Sequence, residues 1–454
     1  MPDSAGASGM PVWAETTLGT WGRVHRSRLR AARPLESAAV PDLVRAENDL
    51  GVVIHGGGRC YGDASLDTGG RAILTRSLNR IVDFDPAAGE VVCEAGVTFE
   101  ELSPAIISHG WCYPVSSATA AVTMGGAFAN DIHSKNHHVL GSFGDHTKWI
   151  ELALAGGEVV RASPAENTDL YFASLGGMGL TGAVLRVCIR LMPIPSNSVD
   201  TRYVPYPDLD AMLDAINRGR ETEEFLFGWI DVFARGSALG RGILESGRLA
   251  AADEGCVPPP RPRSIPFAPP SGPFLAPAMR RVARRRYEKL PPSGVEVRKD
   301  LFSFLFPLDH VKGFNKLYGP SGFYSIHAGF PPAAERAGIR AMLEEIAAAQ
   351  AGSITAVVKP MRGPGRGLMS FPIEGMVLAA DLPRRRDTAR LHDRLEALVL
   401  DHGGRLYVAK DALMSPDGFA RMFPNLPAFR AALERFDPNG RFQSDLARRL
   451  RIRG

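Results

Sequence analysis

Three glycine-rich runs stand where a ligand could lie against bare backbone. The first is Ile54-His55-Gly56-Gly57-Gly58-Arg59-Cys60-Tyr61-Gly62-Asp63, entered from the apolar strand Val52-Val53-Ile54. The second holds Thr123-Met124-Gly125-Gly126 and continues through Asn130, His133 and Lys135. The third is Ser174-Leu175-Gly176-Gly177-Met178-Gly179-Leu180-Thr181-Gly182. Glycine accepts positive φ and lets a ligand approach the main chain. Successive outward N–H groups make a concave anion site, for which a pyrophosphate is the natural guest. A Rossmann fingerprint fails on spacing: glycines 56, 58 and 62 give GxGxxxG, and residues 64–70 do not open a helix. One such run alone reads equally well as a plain turn. Three in one strand-rich half suit a long cofactor with several polar groups. His133, His137 and His138 could suggest zinc, but no acidic or thiol partner stands at ligand spacing, so no metal is expected.

The elements that must position these runs follow from patterning. Residues 1–14 are small and polar and are expected to be disordered. Ile81–Asp85 and Glu90–Glu94 flank the turn Pro86-Ala87-Ala88-Gly89 and read as a hairpin. Thr98-Phe99-Glu100-Glu101 is a capping box opening a helix. Residues 149–154 and 157–161 suggest a second hairpin, and 182–192 a long strand. Residues 255–295 are rich in proline and arginine and read as a mobile loop. Beyond them strands at 323–330, 354–359 and 375–381 alternate with helices near 333–350 and 386–401. A strand at 405–408 and a helix follow. The expected class is α+β. Residues 15–195 form one domain, 196–403 a second with a mostly antiparallel sheet, and 404–454 return to the first.

The bulk numbers exclude other classes. The 454 residues suffice for two substantial domains. With 45% hydrophobic and 22% charged residues the composition is that of a globular protein. A net charge of +4 and the lack of base-reading motifs argue against nucleic acid as a partner. Five cysteines without a CxxC argue against a disulfide framework and for a reducing setting. The start has no basic region followed by an apolar run, so no secretory signal is expected. No apolar stretch reaches the roughly 18 residues of a membrane span. The expected location is the cytoplasm or the periphery of a membrane, with the periplasm left open.

The runs GGGRCYGD, VTMGGAFANDIHSKNHH and LGGMGLTG, with the tail LYVAKD and FDPNGRFQSDLARRL, resemble decaprenylphosphoryl-β-D-ribose 2-oxidases. These are FAD flavoproteins of the vanillyl-alcohol-oxidase (PCMH) type with an aldonolactone-oxidase-like second half. The resemblance implies FAD held by the 54–64 loop (His55, Gly56, Gly57, Gly58, Arg59, Cys60, Tyr61, Gly62, Asp63). It adds Thr123, Met124, Gly125, Gly126, Asn130 and His133, with Ala118 and Val184 as further contacts and Tyr407 and Lys410 at the ring where substrate arrives. Ala118 stands where the family usually has glycine. Leu305, Val377, Ala379 and His327 stand where well-known members carry tyrosine, asparagine, cysteine and glutamine, which leaves the substrate open.

Arg59 occupies the place where many relatives tether FAD through a histidine, so non-covalent FAD is expected, with a cysteinyl link through Cys60 as the alternative. The resemblance makes Lys410 the first choice for the base. A free lysine has a pKa of about 10.4 and must be desolvated or placed near another cation. Tyr407 lies three residues earlier and would point to the opposite face of an extended strand, unless the strand ends between them. His133 could touch the flavin or orient substrate, or be a plain loop histidine. Lys135 and Lys359 are candidates for a substrate phosphate, and Trp229 for core packing first and pocket lining second. The basic stretch Arg280, Arg281, Arg284, Arg285, Arg286 and Lys289 is a solvated face or a membrane-docking flap. The implied reaction is oxidation of the ribose 2-hydroxyl of a polyprenyl-phosphoryl ribose to the 2-keto sugar. A separate reductase would complete epimerisation to arabinose. The alternatives are another sugar, sugar alcohol or aldonolactone as substrate, or a flavin-fold protein that binds without turnover.

Overall fold

The computed structural model describes residues 11–46, 49–251, 260–268 and 275–453. The chain is α+β, with its strands gathered mainly into three sheets. A four-stranded sheet runs in the order Ala14–Gly19, Arg26–Ala32, Arg71–Leu74, Val52–His55. Its first pair is antiparallel and the other two are parallel. A five-stranded antiparallel sheet follows: Ile81–Asp85, Glu90–Glu94, Ala183–Arg190, Thr147–Ala153, Val159–Ala162. Both expected hairpins lie at its edges. The Thr98 hydroxyl accepts from the Glu101 N–H and the Glu101 carboxylate accepts from the Thr98 N–H, so the capping box opens the helix Phe99–Ile107 as the sequence predicts.

The eight-stranded sheet is antiparallel throughout, in the order Val295–Asp300, Ser198–Tyr206, Gly242–Leu249, Phe225–Ile230, Val357–Met361, Gly375–Pro383, Phe323–Phe330, Arg405–Leu406. Side chains alternate between faces with period two. Leu226, Leu244, Ile326, Ala328, Phe330, Val358, Met376, Leu378 and Ala380 pack under the helices Leu209–Gly219, Glu335–Ala348 and Thr388–Asp401. Glu245, Phe227, Trp229, Val357, Lys359, Val377, Ala379, Asp381 and His327 line a cavity on the other face. Register aligns Trp229, Val357, Ala379 and His327 in one cross-strand row, so residues more than a hundred positions apart share a wall.

Several expectations change. The basic stretch is not loop throughout: Leu275–Glu288 is a helix. Met279 and Ala283, four apart, bury on one helix face and leave Arg280, Arg281, Arg284 and Arg285 exposed, while Arg286 lies over the Trp229 ring. Residues 255–259 and 269–274 of that expected loop lie outside the described residues, as do 1–10 of the expected disordered start. Residue 14 begins a strand, and Arg71 stacks 4.9 Å from the Trp13 ring centroid, which orders that corner. The strand expected at 405–408 is only Arg405–Leu406, because the chain turns at Tyr407, whose carbonyl accepts from both Lys410 and Asp411. The tail then returns to the first glycine run: Val52 N–H donates to Arg441 O at 2.8 Å and Gln443 N–H to Val52 O at 3.0 Å.

Candidate active site

The first glycine run forms a bare backbone wall of a cavity of about 650 Å³. A Cβ at Gly56 would lie 2.6 Å from Thr123 Oγ1, and one at Gly57 only 2.5 Å from the Ala121 carbonyl oxygen. Gly58 sits at φ +63°, in the left-handed region. Among the described residues the N–H groups of Gly57, Gly58, Arg59 and Cys60 donate no backbone hydrogen bond. Buried polar atoms without a partner face the same space: Arg59 Nε, Asn130 Oδ1, His133 Nδ1 and His327 Nδ1. Free amides beside unpartnered donors and acceptors are what a polar ligand with phosphates would satisfy.

The cavity brings together Gly56, Gly57, Gly58, Arg59, Cys60, Tyr61, Ala118, Thr123, Gly125, Gly126, Asn130, His133, Lys135, Val184, Trp229, His327, Lys359, Tyr407 and Lys410. The substituted positions Leu305, Val377 and Ala379 line it too. Four expected contacts are not on its wall. His55 turns its Nδ1 to Ser65 O at 2.9 Å. Gly62 packs against Asp411, where a Cβ would lie 1.7 Å from the carbonyl oxygen. Asp63 accepts two hydrogen bonds from Arg449, at 2.8 and 2.9 Å. Met124 is fully buried in the core, and its N–H donates to Val97 O. The second glycine run also differs from expectation: Gly125 N–H is taken by Ala95 O and Gly126 N–H by Thr123 Oγ1. Those two glycines offer close approach, not free donors.

Comparison with known proteins matches an FAD binding domain family to residues 30–163. The chain is 33% identical to the decaprenylphosphoryl-β-D-ribose oxidase of Mycolicibacterium smegmatis, over 97% of this chain and 98% of that one. The chain belongs to the decaprenylphosphoryl-β-D-ribose oxidase family. It is an FAD-dependent oxidoreductase. An uncharacterised protein of Streptomyces coelicolor is 29% identical over 78% of this chain and its own full length. Mouse L-gulonolactone oxidase is 29% identical over 33% of this chain and 34% of its own.

Within this family member the cavity gathers four amines, of Lys135, Lys299, Lys359 and Lys410, and three imidazoles, of His133, His310 and His327. The turn at Tyr407 resolves the facing problem posed by the sequence, since the strand ends before it and both Tyr407 and Lys410 reach the cavity. The Tyr407 hydroxyl donates to Asn130 O at 2.9 Å and its ring stacks on Phe371. Burial pulls Lys410 down to about 8, while Asp381 and Cys60 oppose the fall. Lys359, which donates to Ser134 O at 3.1 Å, is lowered to about 7 by burial and then by Lys410 and Lys135. Lys135 is lowered to about 8 by burial, with Glu245 opposing. His133 and His327 are driven well below the usual imidazole range, first by burial and then by the neighbouring lysines, so both are neutral at physiological pH.

Two acidic residues at the site escaped the sequence reading. Asp381 accepts from Ser325, Thr355 and Tyr318 at 2.7–3.0 Å. It stands two residues after Ala379 on one strand, so period two was the available signal. Glu245 is the lone carboxylate in the strand Gly242–Leu249 and is buried there. Among the described residues no cluster of His, Cys, Asp and Glu could hold a metal ion, and no helix is long and apolar enough to cross a membrane.

Proposed function

We propose that this protein oxidises the ribose 2-hydroxyl of a polyprenyl-phosphoryl-β-D-ribose to the 2-keto sugar. The observation that carries the reading is the shared cavity of the free-amide glycine run and Lys410. Gly57 to Cys60 hold the pyrophosphate of FAD, and Thr123, Gly125, Gly126, Asn130, Ala118 and Val184 hold the rest by close contact. Bound FAD supplies the two-electron acceptor. Lys410 Nζ takes the hydroxyl proton, because its lowered pKa leaves a useful fraction of neutral amine near pH 7. The imidazoles of His133 and His327 are far weaker bases and orient the hydroxyl by hydrogen bonds. Tyr407 fixes the turn that delivers Lys410, Lys135 balances the substrate phosphate, and Lys359 lies close enough to both amines to feel their charge.

The 2-keto product is consumed by a separate keto-sugar reductase. Arg280, Arg281, Arg284, Arg285 and Lys289 are exposed on or just beyond one helix and rest the protein on an anionic membrane surface, while Arg286 turns to the cavity. The test of the reaction is incubation of the FAD-loaded protein with a polyprenyl-phosphoryl ribose and mass analysis of the sugar. Loss of two hydrogens supports it, and an unchanged sugar refutes it. Liposome binding that survives replacement of the arginines by glutamine would remove the membrane contact.

A further inference from the structure

A second charged cluster lies on the cavity wall, on strands far across the sheet from the one that leads to Lys410. Tyr203 and Glu245 are directly paired across two strands. Glu245 Oε1 stands 3.6 Å from Lys135 Nζ and 3.8 Å from Lys299 Nζ, too long for hydrogen bonds, and has no hydrogen-bond partner. Lys299 donates to the Tyr203 hydroxyl. The Arg286 guanidinium lies 4.4 Å from the Trp229 ring centroid. Lys135, Lys299 and Arg286 thus face one carboxylate, which leaves the cluster with room for a further anion.

Tyr203 and Arg286 also line a second depression, which continues from the first. Its other walls are Ile243, Val282 and Leu290, with Arg285 and Lys289 at its rim. The helix Leu275–Glu288 covers it, seated on the sheet by Met279 and Ala283. Val282 is 52% exposed on an otherwise basic helix. An apolar slot that begins at an arginine and a tyrosine suits a molecule whose anionic head precedes a hydrocarbon chain.

We propose that the substrate phosphodiester sits among Lys135, Lys299 and Arg286, and that its isoprenoid chain leaves through the slot walled by Ile243, Val282 and Leu290. This rests on the reading of the substrate as a lipid-linked phosphosugar. The sugar lies towards Lys410, the phosphate at the cluster, and the first isoprene units beneath the basic helix. Glu245 offsets the charge of Lys135 and Lys299 until the phosphate arrives.

The test uses the FAD-loaded protein and two probes, farnesyl phosphate and methyl phosphate, with binding read by tryptophan fluorescence. Val282→Asp alters an exposed side chain and leaves the fold intact. It should weaken farnesyl phosphate by about tenfold or more and leave methyl phosphate unchanged. Lys299→Met and Arg286→Gln should weaken both probes. Farnesyl phosphate binding that Val282→Asp leaves unchanged overturns the slot, as does a Val282→Asp that weakens both probes equally. Methyl phosphate binding untouched by Lys299→Met and Arg286→Gln overturns the phosphate assignment. Turnover of a polyprenyl-phosphoryl ribose is measured separately, so failure of the reaction reading is distinguishable from failure of the binding path.

Discussion

Lys410 Nζ lies 3.9 Å from the centroid of the Tyr61 ring. The two residues come from the tail and from the first glycine run, and Tyr61 N–H donates to Ala409 O at 3.3 Å beside them. The aromatic face restrains the amine and strips water from it. Replacing Lys410 by Met should lower kcat by about 10²–10⁴-fold while FAD stays bound. Lys410→Arg should be equally slow, since a guanidinium does not deprotonate. Steady-state rates with flavin content measured alongside check both.

The rate should depend on pH in one direction. The base is the neutral amine, and its share grows as pH rises through a value near 8. kcat/KM should therefore climb from acid pH and level off above that value. A profile flat between pH 6 and 9 (about the span a group near 8 must control) would remove Lys410 from the proton step.

The FAD-free protein should carry the cost of its buried amines as a stability deficit. Lys359 titrates near 7 when folded and near ~10.4 when unfolded. Between those values the unfolded chain binds the extra proton, so stability rises with pH. Lys359→Met should melt above wild type at pH 7, and the gap should narrow as pH approaches ~10. Calorimetry at several pH values measures the gap.

Arg449 ties the cradle to the Lys410 turn. Its guanidinium bonds Asp63 at 2.8 and 2.9 Å and Asp411 at 2.9 Å, and both carboxylates are buried. Arg449→Gln leaves two buried carboxylates without their cation and should cost on the order of 3 kcal/mol. Denaturant melts read that loss, and flavin retention should fall with it.

FAD should be held without a covalent bond. Arg59 packs its guanidinium 5.0 Å from the Trp21 ring centroid, and burial raises the Cys60 thiol pKa, which makes it a poor nucleophile. Denaturation followed by filtration should pass all yellow colour, whereas colour retained with the chain would point to Cys60. Gly57→Ala should abolish flavin uptake, since its Cβ would meet a backbone oxygen that no rotamer change can move.

The cradle was legible in the sequence because part of its glycine demand is local. Gly58 needs its positive φ locally, and the run of three glycines after a strand is itself the signal, although Gly56 and Gly57 are bare for contacts with Thr123 and Ala121 that the sequence did not show. Lys410 was legible only through its resemblance to a family, because its lowered pKa depends on Tyr61 and on walls drawn from other strands. Glu245 and Lys299 were missed since their meaning depends on sheet register, which brings residues 203 and 245 side by side. Met124 and Asp63 were expected at the cofactor but do not line the cavity. Each neighbours a cavity residue yet points into the core or to Arg449. The basic stretch read as loop from its prolines and charges, although the four-residue spacing of Met279 and Ala283 was already a helical signal.

The most direct test mixes the FAD-loaded protein, without oxygen, with a polyprenyl-phosphoryl-β-D-ribose and follows the flavin absorbance. The account predicts bleaching in wild type, with one 2-keto sugar formed per flavin reduced, and bleaching slowed by orders of magnitude in Lys410→Met. A fully loaded wild type that keeps its yellow colour while the sugar stays intact would contradict it.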